Sequence, residues 1–233
     1  MTGPPSNDPF QEKRRESPVL PCEFQGETVP MILRQAAKDW KTLSSDAPFR
    51  VPIPSEEDLR KVRQLPIETD PPEHTAYRKI VEPFFKRAKD PSVVSKVETL
   101  VERLLREAMD RPSIEVVREF ALPLQSHALT YLLNVPETEA ATWISWGVHV
   151  FHDDGGDGTN KAAALDAYLE NRFDQALQNP GEDFFSALTT SSLNDRSLTR
   201  EEMVGFANLA FAGGRDTIIH TISSVIHYLT KHP

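Results

Sequence analysis

Residues 212–217 read Ala-Gly-Gly-Arg-Asp-Thr, inside a stretch whose apolar residues otherwise keep the period of one long helix. Each glycine in a helix interior costs about 1 kcal/mol relative to alanine. The adjacent pair Gly213 and Gly214 therefore needs a compensating reason, such as close packing or the approach of another group to the backbone. Asp216 and Thr217, an acid and an alcohol, follow at once. This segment is the first candidate for a functional site.

The helix that carries this segment has a recognisable start. Thr199 and Glu202 have the spacing of a capping box, in which each side chain satisfies a backbone N–H of the first turn. Apolar residues then keep a helical period as far as about Thr230. The pattern predicts one helix of about 31 residues, some 45 Å long at about 1.5 Å per residue. Such a long and largely apolar helix is typical of the centre of a large helical protein.

The chain between residue 72 and this helix predicts further helices. Ser92 is the expected N-cap of one of them, and Pro83 is expected to bend or break another. A turn is expected at residues 194–197. The fold class predicted is mainly α. Apolar periodicity indicates helices at residues 73–85, 92–109, 114–133, 138–151, 161–177 and 184–190.

The first third of the chain differs in composition from the rest. Twelve of the 19 prolines lie within the first 72 residues, and proline disfavours helix at its own position and at the one before. We therefore expect an irregular, proline-rich leader over residues 1–28 and a helical domain over residues 29–233. Within the early part of that domain, a helix is expected at residues 31–43 and a weak edge strand at residues 49–54.

Composition excludes several classes of protein. The formal net charge of −9 over 233 residues argues against nucleic-acid binding, which needs clustered Lys and Arg. No apolar run approaches the roughly 20 residues of a membrane span, so no membrane partner is expected. Cys22 is the only cysteine, which leaves no intramolecular disulfide and makes a cytoplasmic location the default.

Two motifs together resemble one protein family, the soluble bacterial-type cytochrome P-450. The segment from Leu198 to Glu202, the 212–217 motif and the ending Leu-Thr-Lys-His-Pro at 229–233 resemble the central distal helix of that family. Residues 70–78, Asp-Pro-Pro-Glu-His-Thr-Ala-Tyr-Arg, resemble the entry into its haem-facing C helix. The order of the motifs and the number of helices between them match as well. The resemblance covers residues 39–233, and the family's small N-terminal sheet and first helix are not recognisable before them.

The resemblance implies haem-dependent monooxygenase chemistry. In this family haem uses O2, and electrons from a ferredoxin- or flavoprotein-type donor, to hydroxylate a small hydrophobic substrate. Gly213 and Gly214 would lie against the haem and dioxygen. The Asp216 carboxylate and the Thr217 hydroxyl would deliver protons for cleavage of the O–O bond. Arg215 is an unusual charge at the variable position of the motif.

The resemblance also implies a haem-binding pair on the C helix. His74 and Arg78 are four residues apart, which places both on one helix face. They match the family positions that hold the haem propionates, where a cation pairs with a carboxylate.

The sequence lacks two elements that family members carry beyond the distal helix. These are the E-x-x-R of the K helix and the cysteine loop that supplies the axial thiolate. Cys22 is in no comparable context. We therefore expect a partial cytochrome P-450 domain, truncated before both elements, with no metal ligand of its own and inactive alone.

Each motif also has an interpretation without chemistry. The two glycines could serve close helix packing, and the His74–Arg78 pair could be an exposed pair at a helix start. The cluster around His149 and His152 is better explained as a polar helix end than as a metal site. For the whole chain, the alternative to an enzyme is a non-enzymatic helical remnant or partner-binding protein. Such a remnant is expected to expose a large apolar face and to aggregate or form oligomers.

Overall fold

The computed structural model describes residues 19–24, 27–32, 39–46, 62–148 and 158–232. Most of these residues are helical, so the prediction of a mainly α fold is confirmed. A turn of 3-10 helix, Arg87–Lys89, and a turn of π-helix, Val117–Ala121, adjoin the α-helices. The described helices are α1 (Glu73–Lys86), α2 (Pro91–Met109), α3 (Leu122–Leu133), α4 (Glu139–Ser145), α5 (Gly158–Gln178), α6 (Phe184–Thr190), α7 (Arg200–Gly213) and α8 (Asp216–Lys231).

The structure of the N-terminal region differs from two predictions. Strands β1 (Val19–Phe24) and β2 (Glu27–Ile32) pair as an antiparallel hairpin, in the region expected to be irregular up to residue 28. The helix expected at residues 31–43 is wrong at both of its ends, because residues 31–32 belong to β2 and residues 40–42 form a turn. Residues 33–38, in the middle of that range, lie outside the described residues. Pro21 lies opposite Pro30, and a two-stranded sheet tolerates both since each strand has a free edge.

Two further predictions for the N-terminal third are not decided. The weak strand expected at residues 49–54 lies outside the described residues. The division of the chain into a leader and a domain stays a prediction.

Helices α1 and α2 follow the predicted positions but differ at their ends. Pro83 does not break α1, which continues to Lys86. The N-cap of α2 is Asp90 and not Ser92, because the Asp90 carboxylate accepts the backbone N–H of Ser92 at 2.8 Å. Pro91 occupies the first helical position, where its missing N–H has no cost, and it keeps Asp90 in an extended conformation.

Packing around α7 forms the centre of the core. Phe211 is buried and meets three aromatic rings edge-on. Its ring centroid lies 5.0 Å from that of Trp143, 5.9 Å from Trp146 and 6.0 Å from Tyr168. Edge-to-face pairs stabilise a core by about 0.5–1.5 kcal/mol each beyond their buried area. These contacts join the end of α4 and the middle of α5 to α7.

The predicted long helix is two helices. The capping box at its start is confirmed: the Thr199 hydroxyl accepts the Glu202 N–H at 3.2 Å, and the Glu202 carboxylate accepts the Thr199 N–H at 2.7 Å. The helix then ends at Gly213, and α8 begins at Asp216. Between them Arg215 has φ −108° and ψ −79°, far from regular helix. The prediction of one uninterrupted helix is therefore wrong at residues 214–215.

The region between α3 and α7 also departs in part from the predictions. Helix α4 ends at Ser145, well before residue 151, and Gly147 follows it with a left-handed φ of 79°, which favours glycine. The cluster around His149 and His152 lies outside the described residues. The turn expected at 194–197 is confirmed at residues 194–195, which connect a short hairpin of β3 (Ser192–Leu193) and β4 (Arg196–Ser197), whereas residues 196–197 belong to β4.

Candidate functional site at the α7–α8 break

The break between α7 and α8 presents Gly213 and Thr217 at the surface. The Thr217 hydroxyl donates to the Gly213 carbonyl at 2.7 Å, and both residues are exposed. A Cβ added to Gly213 would meet only Leu209 Cδ1, at 3.8 Å, which is an ordinary contact. The backbone at Gly213 is therefore open to another group, and the Thr217 hydroxyl lies beside that opening.

Gly214 serves the fold in a different way from Gly213. A Cβ added to Gly214 would lie 2.6 Å from the carbonyl oxygen of Ala210, a distance that real Cβ atoms do not show. The carbonyl of Gly214 accepts a hydrogen bond from Nε2 of the buried Gln125 in α3, at 2.8 Å. Gly214 is thus required by the backbone of the break itself, because the atom that a Cβ would meet belongs to the end of α7.

Arg215 is a functional candidate that the sequence analysis missed. Only 1% of the residue is exposed, and its guanidinium donates to backbone carbonyls at the end of α4. The distances are 2.6 Å from Nη2 to Trp143 O and 3.2 Å from Nε to Val148 O, and Nη2 also donates to Gly147 O. The position of this cation in an apolar stretch could have marked it as unusual. Its hydrogen-bond partners could not be read from the sequence, because they lie 67–72 residues away.

The electrostatics of the break are set by Arg215 and Asp216. Burial lowers the pKa of Arg215 to about 10, while the neighbouring charge of Asp216 acts in the opposite direction. Arg215 therefore keeps its charge at neutral pH. Asp216 is half-buried in the first turn of α8, where the helix dipole favours a carboxylate.

His74 and Arg78 lie on a different helix, α1. His74 is half-buried, and the exposed Arg78 has its guanidinium 5.9 Å from the ring centroid of Phe85. Helix α1 reaches α7 through Tyr77, whose hydroxyl donates to the Glu202 carboxylate at 2.5 Å. That contact is at the start of α7, at the opposite end from the break. The four residues of the α7–α8 motif lie together around the break, whereas His74 and Arg78 belong to α1.

Hydrogen bonds near the start of α1 hold one carboxylate in its charged form. The pKa of Asp70 is lowered chiefly by the hydroxyl of Ser44 and then by the backbone N–H of Ser45, and His74 makes a smaller contribution. The Ser45 N–H lies 2.9 Å from the carboxylate. This arrangement ties the 39–46 segment to the loop before α1.

An apolar groove adjoins the break, between α2, α3 and α8, and Gly214 is part of its lining. It has a volume of about 370 Å³. Ile218 and Val94, which line it, are both partly exposed. Its remaining apolar lining comes mainly from Val93, Val97, Ala128, Leu129 and Leu132.

Within the described ranges, no group of three or more His, Cys, Asp or Glu side chains is placed to hold a metal ion. Of the helices described, none combines the length and the apolar character needed to span a bilayer.

The fold and the site define the class of this protein: a mainly helical protein built around a long helix that is interrupted at an exposed glycine and an acid-alcohol pair. Similar proteins are known. The chain is 30% identical over 240 residues to pentalenic acid synthase of Streptomyces avermitilis, covering 99% of this chain and 59% of that protein. It is 29% identical over 201 residues to the cytochrome P-450 monooxygenase PikC of Streptomyces venezuelae, covering 84% of this chain and 46% of PikC.

A solved structure described as a carbohydrate active P-450 matches with a TM-score of 0.80 and 43% identity, over 97% of this chain and 60% of that one. No family model matches. This chain is a partial cytochrome P-450, and it spans about half the length of the curated relatives it matches. The resemblance seen in the two sequence motifs is confirmed.

Proposed function

We propose that this chain forms the O2-facing part of a haem-dependent monooxygenase, with the α7–α8 break lying against the cofactor. The observation that carries the proposal is the open surface over Gly213, bordered by the Thr217 hydroxyl. A Cβ at Gly213 would meet nothing but Leu209 Cδ1, at 3.8 Å, so a flat group has room against the backbone. Membership of the cytochrome P-450 family is the second support.

The residues that would hold one side of a haem are the α1 pair and the glycines of the break. His74 and Arg78 lie one turn apart on α1 and would pair with the two propionates. Gly213 and Gly214 would lie beneath the ring, with Gly213 as the open position. Haem, when bound, supplies the activation of O2 that protein side chains lack. We assign no axial ligand, because the only cysteine, Cys22, lies in β1.

Thr217 and Asp216 would move protons at this site. The Thr217 hydroxyl now donates to Gly213 O at 2.7 Å, and rotation about its C–O bond would turn that hydrogen toward a ligand over the glycine. Asp216 is partly open to solvent and would exchange protons with water. Together they would supply protons to the oxygen side of the cofactor.

The complete enzyme would use O2 to hydroxylate a small hydrophobic substrate, with electrons from a ferredoxin- or flavoprotein-type donor. We propose a cytoplasmic location for it. The name of PikC, a monooxygenase, supports the reaction type. The structure described as carbohydrate active is 43% identical, and it is the reason to test a carbohydrate as a second substrate class.

A haem titration of the purified full chain, followed by Soret absorbance, tests the proposal. We compare the wild type with Gly213→Val, which fills the open surface, and with Thr221→Ala as the matched control. The Thr221 hydroxyl bonds to Thr217 O at 2.6 Å, one turn beyond the Thr217 bond. We expect Gly213→Val to weaken haem binding by at least about tenfold, or 1.4 kcal/mol, and Thr221→Ala to bind as the wild type does. A wild-type chain that binds no haem, or equal binding by Gly213→Val, contradicts the proposal.

A second candidate is a non-enzymatic partner-binding protein. The observation that favours it is the apolar surface of α8, where Ile218, Val225 and Leu229 are 46%, 53% and 58% exposed. Such surfaces mark interaction sites when they are contiguous. Absence of haem binding together with self-association would favour this candidate.

A further inference from the structure

Arg215 lies inside the backbone segment that separates α7 from α8. Its side chain is almost completely buried, at 1% exposure. Removing a guanidinium from water is strongly unfavourable unless hydrogen bonds replace the lost hydration. The contacts that Arg215 makes are therefore strong constraints on where its backbone can lie.

Those contacts all lie at the C-terminal end of α4. Arg215 donates to the carbonyls of Trp143, Gly147 and Val148, with Nε 3.0 Å from Gly147 O and 3.2 Å from Val148 O. The last carbonyls of a helix have no partner within it and carry the negative end of the helix dipole. Trp143 belongs to the last turn of α4, whereas Gly147 and Val148 lie in the loop that follows the helix. The buried cation therefore satisfies a carbonyl of the last turn and two of the loop, and it joins both to the break.

The break is held from a second side by α3. Gln125 Nε2 donates to Gly214 O at 2.8 Å, on the residue immediately before Arg215. Phe211 packs edge-on against Trp143 at 5.0 Å between centroids, one turn earlier in α7. Two neighbouring residues are thus held, Gly214 by α3 through its carbonyl and Arg215 by the end of α4 through its side chain, and α8 begins at the next residue, Asp216.

We infer that Arg215 is a positioning residue that couples the end of α4 to the α7–α8 break, so that a shift of the Gly147 carbonyl changes the orientation of Asp216 and Thr217. The physical reason is adjacency. Arg215 contributes both the side chain that binds α4 and the backbone torsions, φ −108° and ψ −79°, that set the direction of α8. A displacement at α4 therefore acts directly on those torsions. The coupling goes beyond the proposed function and needs no bound haem.

Amide hydrogen exchange of the full chain, measured by mass spectrometry, tests this coupling. Arg215→Met removes the three contacts, and Gly147→Ala strains the left-handed φ of 79° that places the central acceptor. The readout is the exchange rate of a peptide covering residues 216–222. We expect Arg215→Met to speed that exchange by roughly fivefold or more, in the range of typical coupling between sites. Arg215→Lys keeps the positive charge but loses the planar guanidinium that reaches several carbonyls at once. We expect it to give an intermediate exchange rate.

A double-mutant cycle between residues 147 and 215, the two ends of the contact, decides whether they are coupled. Gly147→Ala should speed exchange at residues 216–222 in the wild-type background and add little in Arg215→Met or Arg215→Lys. Equal acceleration in all backgrounds, or acceleration confined to the α4 peptide, overturns the coupling and leaves Arg215 as a cap of α4. If Arg215→Met does not fold, the Arg215→Lys cycle carries the test. Arg106→Met, which alters an exposed cation on α2 that pairs with Glu102 of the same helix, is the matched control and should leave residues 216–222 unchanged.

Discussion

At the scale of single residues, the carboxylate of Glu202 joins three parts of the chain. It accepts the hydroxyl of Tyr77 from α1 at 2.5 Å, and Nη2 of Arg196 from β4 at 2.6 Å. It also accepts the N–H of Thr199, which closes the capping box of α7. These donors lower the pKa of Glu202 to about 2, with the Arg196 hydrogen bond as the largest cause. Burial raises the pKa of Tyr77, and its bond to Glu202 adds to that shift.

The lowered pKa predicts how stability depends on pH. Because the folded-state value lies near 2 and the ordinary value is 4.5, the stabilisation is fully present above pH 4.5 and is lost as pH falls toward 2. Urea unfolding across this range should show the free energy of unfolding of the wild type falling by roughly 1–3 kcal/mol more than that of Glu202→Gln. Glu201→Gln, at the exposed neighbour, is the control and should retain the wild-type slope. Identical slopes for wild type and Glu202→Gln would refute the role of this carboxylate.

At the scale of elements, the break shows how a strong periodic pattern can be overridden. Apolar residues keep helical spacing across residues 200–230, yet contacts from Gln125 and Arg215 draw the backbone out of the helix between Gly213 and Asp216. The backbone is not helical at residues 214–215, and this region forms buried hydrogen bonds instead. Gly214 accepts one from α3, and the Arg215 side chain donates to the end of α4. Glycine at 214 allows this, because no side chain there has to avoid Ala210 O.

The two glycines of the break should respond to substitution in opposite ways. Gly214→Ala places a Cβ 2.6 Å from Ala210 O, and we expect it to destabilise the fold by about 1–3 kcal/mol. Gly213→Ala meets only Leu209 Cδ1 at 3.8 Å and should be neutral or stabilising by up to about 1 kcal/mol, since alanine is the better helix former. Urea denaturation of both variants measures the difference. Equal effects of the two alanines would contradict the distinct roles given to the two positions.

At the scale of the whole molecule, the distribution of exposed apolar side chains is uneven. The described chain buries an aromatic core around Phe211, while α8 leaves Val225 and Leu229 more than half exposed. Tyr228, between them, is 61% exposed. This surface continues toward Ile218 at the apolar groove, and it offers area for another protein surface to cover.

We therefore predict concentration-dependent self-association of the purified chain. Replacing Val225 and Leu229 together by serine should shift the sedimentation profile toward monomer, because it removes apolar area from the contact. Met109→Ser is the matched control, since Met109 is exposed by 82% on α2. A wild-type chain that sediments as a monomer at every concentration would show that this surface does not associate.

Local signals in the sequence by themselves determined most of the elements and the family. Helices α2, α5 and α6 lie close to their predicted ranges, and the capping box at Thr199 and Glu202 forms as its spacing indicated. These features depend on interactions between residues a few positions apart, so they can be predicted from the sequence. The family followed from two motifs, which the comparisons confirm.

Only the tertiary structure decided the break at residues 214–215, the separate roles of the two glycines and the burial of Arg215. The partners of Arg215 lie 67–72 positions away in the sequence, and Gln125 lies 89 positions from Gly214. Periodicity carries no information about such distant hydrogen bonds, which here outweigh local helix propensity. The hairpin of β1 and β2 was missed for a related reason. Strand formation here depends on pairing with a second strand, which local sequence does not show. The prolines argue against a strand in each segment, and only the structure shows that Pro21 and Pro30 lie opposite each other.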